Sequence, residues 1–248
     1  MEFSEKEVQL WSQQLENKPA AEILEFALQR FHPRLAIAHS MQIEDMVVLD
    51  IAWKIQPKVR VFTLDTGRLH QETYDMIDRV RDRYGIPIEI LFPDAAEVEA
   101  MVRAKGMNLF YESPENRHEC CGVRKVHPLR KHLAQFDGWI TGLRRDQWTT
   151  RAHVPVVEID TANGGILKFN PIVHWTQQQI DDYVKTNRLP AHALYAKGFT
   201  SIGCLPCTRP TQPGENPRAG RWWWEEGSKK ECGLHVAEPQ EIKNKQLD

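Results

Sequence analysis

The stretch Leu35-Ala36-Ile37-Ala38-His39-Ser40-Met41-Gln42-Ile43-Glu44-Asp45 decides the fold. Its first four residues are apolar, which is typical of a buried strand, and a polar loop follows them. Residues 43–54 then continue as an amphipathic helix. A strand that passes through a short polar loop into a helix is the repeating unit of a parallel sheet covered by helices.

The same alternation recurs along the chain. Further strands are predicted at residues 59–64, 87–92, 139–142 and 154–159, and further helices at residues 70–83, 95–105, 123–135 and 176–186, the last capped by Thr176. The sequence therefore predicts an α/β fold with a doubly wound, mostly parallel sheet of five or six strands. From Gly198 onward the chain is rich in Gly, Pro, Arg and Trp, which indicates an irregular, mobile C-terminal segment (198–248) within the same domain as residues 1–197.

Composition excludes several classes of protein. The 248 residues are 41% hydrophobic and 27% charged, as in ordinary globular enzymes, and the net charge of −2 argues against a general nucleic-acid binder. The N-terminus does not resemble a secretory signal, and no apolar run approaches the roughly 18 residues needed to span a membrane. We therefore expect a cytoplasmic protein that does not contact membranes. In that compartment thiols stay reduced, so cysteines indicate ligands or reactive groups.

The five cysteines fall into two pairs and a single residue. Cys120-Cys121 and Cys204/Cys207 supply a four-thiolate set, which suits either zinc or a [4Fe–4S] cluster. Adjacent cysteines project in divergent directions, which favours the irons of a cluster over one small tetrahedron around zinc. Cys232 is left over and is the candidate nucleophile.

Two loops are placed to bind a ligand, because ligands of doubly wound sheets bind beyond the carboxyl ends of the strands. Ser40 follows the first predicted strand, and Thr66 and Gly67 follow the second. The hydroxyls can contact phosphate or ribose, and glycine permits close approach of the backbone. Helix caps and tight turns explain the same residues equally well.

Basic residues are concentrated beyond these loops. They are Lys125, Arg144, Arg145, Arg151, Arg209, Arg218 and Arg221. A [4Fe–4S] centre with four thiolates has a net charge of about −2, so an anionic substrate beside it requires cations. On a helix that begins near Gly122, Lys125 would lie about one turn from Cys121, between the cluster and the anion. Exposed, solvated side chains are the alternative interpretation, above all for Arg209.

Several motifs together resemble the assimilatory adenylyl-sulfate reductases, over about residues 35–235. They are Leu64-Asp65-Thr66-Gly67-Arg68, Cys120-Cys121-Gly122-Val123-Arg124-Lys125-Val126, Gly142-Leu143-Arg144-Arg145-Asp146-Gln147, Cys204-Leu205-Pro206-Cys207-Thr208-Arg209, Gly220-Arg221-Trp222-Trp223-Trp224-Glu225 and Glu231-Cys232-Gly233-Leu234-His235. The resemblance implies an adenine-nucleotide-hydrolase-like fold, adenosine 5′-phosphosulfate as substrate, a [4Fe–4S] cluster on the four paired cysteines, and thioredoxin as reductant. Cluster-free 3′-phosphoadenylyl-sulfate reductases lack the two pairs.

The resemblance also implies roles for single residues. Lys125, Arg218, Arg221 and His235 match positions that surround the sulfate and phosphate, and we place Arg151 with them. The substrate contacts are predicted to be Ser40, Thr66, Gly67, Gly142, Arg144 and Arg151. Cys232 would attack the sulfuryl sulfur and form an S-sulfonate with release of AMP. Lys229, Lys230 and His235 would stabilise its thiolate, and the tryptophan triplet would dock the C-terminal segment on the body or simply pack in the core.

One departure from the family concerns the first loop. Residues 40–45 contain no glycine, so we expect phosphate to approach this backbone less closely and to rely on Ser40. Three alternatives remain open: a cluster-bearing reductase of the 3′-phosphorylated nucleotide, an ATP-using tRNA thiolation enzyme and a non-catalytic iron–sulfur sensor. The thiolation enzyme would need a glycine-rich loop, and the sensor leaves Cys232 unexplained. The sequence also leaves open the oligomeric state, a homo-oligomer included.

Overall fold

The computed structural model describes residues 3–147 and 151–225. Its helices are α1 (Glu5–Leu15), α2 (Ala20–Phe31), α3 (Ile43–Ile55), α4 (Gln71–Tyr84), α5 (Ala95–Lys105), α6 (Pro114–Cys121), α7 (His127–Leu133) and α8 (Gln177–Asn187). Its strands are β1 (Leu35–Ala38), β2 (Arg60–Leu64), β3 (Ile88–Leu91), β4 (Gly138–Ile140), β5 (Val157–Asp160) and β6 (Ile166–Phe169). None of the described helices is long and apolar enough to cross a membrane.

The strands form one six-stranded sheet in the order β3-β2-β1-β4-β6-β5. All neighbours are parallel except β5, which pairs with β6 in the antiparallel sense. The chain order reverses at β1, which lies between β2 and β4, and this is where such sheets open a ligand-binding crevice. The α/β, mostly parallel architecture predicted from the sequence is confirmed.

Both faces of the sheet are covered, as the pattern of β1 requires. Leu35 and Ile37 pack in the larger core, with residues of α1, α2, α3, α4 and α8. Ala36 points to the opposite face, where it packs in a smaller core with Phe62, Trp139 and residues of α7. Successive side chains of a strand point to opposite faces, so a strand buried on both is apolar throughout.

The sequence-based prediction differs from the structure in several elements. It omits α1, α2, α6 and β6, and it assigns one helix to residues 123–135. The structure instead begins α6 at Pro114, because the Ser113 side chain caps that helix, and follows it with a π-helical turn, Gly122–Val126, before α7. Lys125 therefore lies on a π-helical turn that begins at Gly122 and directly continues α6. Thr176 caps α8 through a capping box, as predicted.

The described part of the C-terminal segment packs against the body. It contains a short 3-10 turn, Leu205–Cys207, and an isolated bridge between Thr208 and Arg221. Trp222 is buried in a third apolar cluster that also contains Cys120 and Cys207. Trp224 packs edge-on against Tyr111 at 4.4 Å, whereas Trp223 is 49% exposed. The predicted mobility of this segment remains a prediction.

Candidate active site

A cleft of about 470 Å³ opens at the carboxyl ends of β1, β2 and β4. Its walls include Ser40 after β1, Gly142 and Arg144 after β4, and residues 200–203 of the C-terminal segment. This volume lies within the range of small-molecule sites. The cleft therefore occupies the position that the strand order predicts for a ligand.

The glycine-free loop after β1 keeps its backbone donors occupied. Met41 has the left-handed φ of 64°, a conformation that is unfavourable for a side chain other than glycine. Its N–H donates to His39 Nδ1 at 3.1 Å, and the Ile43 N–H donates to the Tyr195 hydroxyl at 3.1 Å. Two backbone groups that could have bound phosphate are thus satisfied within the protein. This agrees with the expectation that phosphate relies less on this backbone.

Asp45 joins the loop to the end of β4. Its carboxylate accepts hydrogen bonds from the N–H and hydroxyl of Ser40. Burial raises the pKa of Asp45 to about 6, although these bonds and one from the Gly142 N–H oppose the rise. A Cβ atom at Gly142 would lie 2.3 Å from Asp45 Oδ1, so only glycine fits there. The predicted contact residues Ser40 and Gly142 are therefore both bound to one buried acid.

His39 supports the strained loop from behind. Burial lowers its pKa to about 3, so the imidazole is neutral at physiological pH. Because Nδ1 accepts the Met41 N–H, the proton of the neutral ring lies on Nε2. Neither His39 nor Asp45 was predicted from the sequence to have a role in the site. The signal that could have identified them is their position beside a glycine-free loop that must still turn sharply.

Five of the predicted cationic residues line the cleft together: Lys125, Arg144, Arg151, Arg218 and Arg221. Two of them are strongly tied to the protein. Arg144 donates to Glu44 at 3.1 Å and to Gln177 at 2.7 Å, and it is buried. Arg221 donates to the Ile202 carbonyl at 3.1 Å and lies over the Trp222 ring. These two arginines form walls of the cleft as well as contributing positive charge.

Two of the predicted cationic residues, Arg209 and Arg145, form ion pairs away from the cleft. Arg209, for which solvation was the alternative, is paired with Glu215 at 2.8 and 2.9 Å. Arg145 donates to Glu16 at 2.7 Å and to the Val154 carbonyl. Both pairs fix neighbouring segments, and neither arginine is among the described residues that line the cleft.

The four paired cysteines line a second, smaller cavity that we call the cysteine cavity. Its lining is Arg68, Phe110, Arg117, Cys120, Cys121, Arg124, Lys125, Cys204, Pro206 and Cys207. None of the four forms a disulfide within the described residues. The end of α6 supplies one pair and the 3-10 turn at 205–207 supplies half of the other. Within residues 3–147 and 151–225, however, no group of three or more His, Cys, Asp or Glu side chains is arranged to hold a metal ion.

The chemistry of the cysteine cavity fits an anionic group. Arg117 Nη1 and Arg124 Nε are buried N–H donors that find no acceptor in the described part of the chain. Burial raises the pKa of the Cys120 thiol, against the nearby charges of Arg124 and Arg68, and raises the pKa of Cys207 to about 12. The described lining contains four cationic residues and no carboxylate. A set of thiolates that shares negative charge with a metal centre would supply the missing acceptors.

Lys125 lines both the cleft and the cysteine cavity. The π-helical turn that carries it directly follows the cysteine pair at the end of α6. That Lys125 lies between a cluster and an anion stays a prediction.

The remaining predicted site residues lie elsewhere. Thr66 and Gly67 are not among the residues that line the cleft; the Thr66 hydroxyl lies 3.2 Å from Cys204 Sγ, and the Gly67 N–H donates to Asp65. Their described contacts thus belong to the cysteine side and to a turn, and substrate binding by them stays a prediction. Cys232, His235, Lys229 and Lys230 lie outside the described residues.

The chain is similar to known proteins in both sequence and fold. Residues 34–210 match the family model described as phosphoadenosine phosphosulfate reductase domain. An adenosine 5′-phosphosulfate reductase of Pseudomonas aeruginosa is 46% identical over 227 residues, which cover 90% of this chain and 84% of that protein. A chloroplastic 5′-adenylylsulfate reductase 3 of Arabidopsis thaliana is 44% identical over 241 residues, and the match covers 94% of this chain but 52% of the plant protein.

The fold agrees with the sequence match. A phosphoadenylyl-sulfate reductase from Candida auris superimposes with a TM-score of 0.72 over 83% of this chain and 98% of that chain, at 24% identity. This likeness confirms the adenine-nucleotide-hydrolase-like fold implied by the resemblance. The family model spans all six strands, and the chain belongs to the phosphoadenosine phosphosulfate reductase domain family.

Proposed function

We propose that this chain reduces adenosine 5′-phosphosulfate to sulfite and AMP, in the assimilation of sulfate for cysteine biosynthesis. The bacterial and plant relatives named for this activity support the substrate. The observation that carries the proposal is Lys125, which lines both a cleft of nucleotide size and the cysteine cavity.

The cleft is suited to an anionic nucleotide. Lys125, Arg151 and Arg218 line it together with the two wall arginines, so several positive charges face one space. Such charges bind the phosphosulfate and stabilise the negative charge that accumulates on the phosphate as AMP leaves. Because the loop donors of Met41 and Ile43 are occupied, the side-chain cations provide most of the attraction for the anion in this chain.

We further propose that Cys120, Cys121, Cys204 and Cys207 hold a [4Fe–4S] cluster. The unsatisfied N–H groups of Arg117 and Arg124 support an anionic occupant of the cysteine cavity. When bound, the cluster would supply a fixed negative charge of about −2 beside Lys125. The thiols must lose their protons when a metal centre binds, and the surrounding arginines favour that loss.

The chemical steps use Cys232. Its thiolate attacks the sulfuryl sulfur, the S–O bond to AMP breaks, and a cysteine S-sulfonate forms. One thiol of reduced thioredoxin then attacks the Cys232 sulfur, expels sulfite and forms a mixed disulfide, which the second thiol resolves. The two electrons come from the dithiol, so the cluster keeps its oxidation state. His235 and Lys125 would assist by stabilising the thiolate and the departing anion.

The decisive experiment is anaerobic purification followed by iron and sulfide analysis and an assay of sulfite release from adenosine 5′-phosphosulfate with reduced thioredoxin. We expect about four irons per chain and turnover with this substrate in preference to its 3′-phosphorylated form. Stoichiometric zinc would contradict the cluster, and preference for the 3′-phosphorylated nucleotide would favour the alternative reductase.

Cys232→Ser tests the nucleophile. We expect this variant to bind AMP as the unmodified chain does but to form no protein-bound sulfonate from ³⁵S-labelled substrate, because a hydroxyl is a poor nucleophile at this centre. The matched control is Cys121→Ser, which should lose iron and keep the thiol of Cys232. A labelled adduct that persists in Cys232→Ser would show that another group attacks.

A further inference from the structure

Residues Ser201, Ile202 and Gly203, which we call the strap, lie between the two cavities. All three line the cleft, and the next residue in the chain is Cys204 of the cysteine cavity. A displacement of the strap would therefore change the rim of the cleft and the position of Cys204 together.

Both polar backbone groups of Ile202 are held by side chains. The Ile202 N–H donates to Gln42 Oε1 at 2.8 Å, and the carbonyl accepts from Arg221 Nη1 at 3.1 Å. A Cβ atom at Gly203 would lie 2.6 Å from Arg221 Nη2, so the strap passes directly against the guanidinium. The strap is thus clamped between a glutamine of the first loop and an arginine of the C-terminal segment.

Gln42 precedes a helix, at a position where polar side chains usually accept a hydrogen bond from the first turn of that helix. It is the N-cap residue of α3, yet it makes no side-chain cap hydrogen bond. Its amide instead donates to Ser40 Oγ at 3.2 Å and accepts from Ile202, which lies 160 positions away in sequence. Because both ends of the amide are engaged, its orientation is fixed. The adjacent Met41 holds a strained φ of 64°, which places Gln42 in this pose.

We propose that Gln42 is a positioning residue whose single hydrogen bond to Ile202 fixes the cleft rim and the Cys204 turn at once. The part that concerns the cleft ligand rests on the proposed function. Gln42 holds the strap and also lines the cleft itself, so its loss should weaken nucleotide binding more than the chemical step. The Ile202 N–H should also become free to exchange with solvent.

The test combines amide hydrogen exchange at Ile202 with nucleotide kinetics on the full-length chain. Gln42→Met removes the acceptor at similar volume, whereas Gln42→Glu keeps an acceptor for the Ile202 N–H. We expect exchange at Ile202 to accelerate at least tenfold in Gln42→Met and to stay within threefold in Gln42→Glu. For Gln42→Met we expect KM for adenosine 5′-phosphosulfate to rise three- to tenfold with kcat changed less than twofold.

Gln178→Met is the matched control, because the side chain of that exposed glutamine donates to Asp182 of its own helix and its loss should leave every reading unchanged. Amides of β6 report whether each variant folds, and Gln42→Ala replaces Gln42→Met if the latter does not. Exchange at Ile202 within twofold of the unmodified chain in the acceptor-free variant overturns the proposal. Failure of the unmodified chain to bind AMP contradicts the proposed function instead, and leaves the exchange result to be judged separately.

Discussion

The cleft and the cysteine cavity differ in how their charges are balanced. In the cleft, Asp45 and Glu44 already accept hydrogen bonds from Ser40 and Arg144. Buried donors of Arg144 and Arg221 nevertheless find no acceptor among the described residues. The described lining of the cysteine cavity contains four cations and no carboxylate, and buried donors of Arg117 and Arg124 also lack an acceptor there. The cleft thus contains carboxylates that balance part of its positive charge, whereas the lining of the cysteine cavity contains none. Lys125 belongs to both and connects the two.

The largest expected effect comes from removing a buried ion pair beside the cysteine cavity. Arg117 and Glu225 form a bidentate ion pair at 2.7 and 3.1 Å with side chains only 4% and 3% exposed. Arg117→Met leaves a buried carboxylate without its partner, so we expect the free energy of unfolding to fall by about 3–5 kcal/mol. Urea denaturation monitored by tryptophan fluorescence measures the change.

A double substitution and a surface pair provide the controls for that prediction. Arg117→Met with Glu225→Leu should recover most of the lost stability, because no unpaired charge remains. Lys18→Met breaks a pair whose side chains are both 51% exposed and should change stability by at most about 0.5 kcal/mol. Equal losses for the buried and the exposed pair would show that Arg117 is not structurally important.

The second prediction removes the residue shared by the two cavities. Lys125→Gln keeps much of the side-chain length but removes the charge, so we expect kcat/KM for adenosine 5′-phosphosulfate to fall about 10²–10³-fold. Sulfite release in steady state measures it. Lys131→Gln is the control, since that lysine is exposed on α7. A change below threefold in Lys125→Gln would mean that the two cavities work independently.

A feature of the fold or of the site could be predicted from the sequence where residues close together in the chain determine it. The strand and helix around Ser40 follow from periodicity, and the spacing of the cysteines predicts their grouping. In contrast, β6 contains Lys168, which breaks its apolar pattern. This lysine is buried, pairs with Glu158 of β5 at 2.9 Å and lies over the Trp139 ring. The Arg117–Glu225 pair joins residues 108 positions apart, and no local pattern indicates it.

The same distinction applies to the loop after β1. Its lack of glycine is visible in the sequence, and weaker backbone contact with phosphate follows from it. The contacts that support the loop could not be predicted from the sequence. His39 accepts from the Met41 N–H, Tyr195 accepts from the Ile43 N–H, and Gln42 accepts from the strap. The contacts of Tyr195 and Gln42 depend on tertiary packing, whereas His39 lies only two residues from Met41. Sequence reasoning therefore finds that the loop is unusual, and only the structure explains how it is held.

The smallest expected effect concerns His39 in that loop and is a change in how the stability of the fold depends on pH. His39 has a pKa of 6.5 when unperturbed and about 3 in the folded chain, so below pH 6.5 the unfolded state binds a proton that the folded state does not. Stability is therefore lost as pH falls, by roughly 2 kcal/mol between pH 7 and pH 5 for this group. His39→Gln keeps an acceptor for the Met41 N–H and should remove that loss.

Comparing the unmodified chain with His39→Gln at pH 7 and at pH 5 isolates the contribution of His39. Asp45 acts in the opposite direction, because its raised pKa of about 6 makes the folded state bind the extra proton as pH falls, and stability then rises. That contribution is common to both proteins and cancels in the difference. If urea unfolding at pH 7 and pH 5 shows the same loss with and without His39, the imidazole titrates normally in the fold, and the loop is held by Asp45, Tyr195 and Gln42 alone.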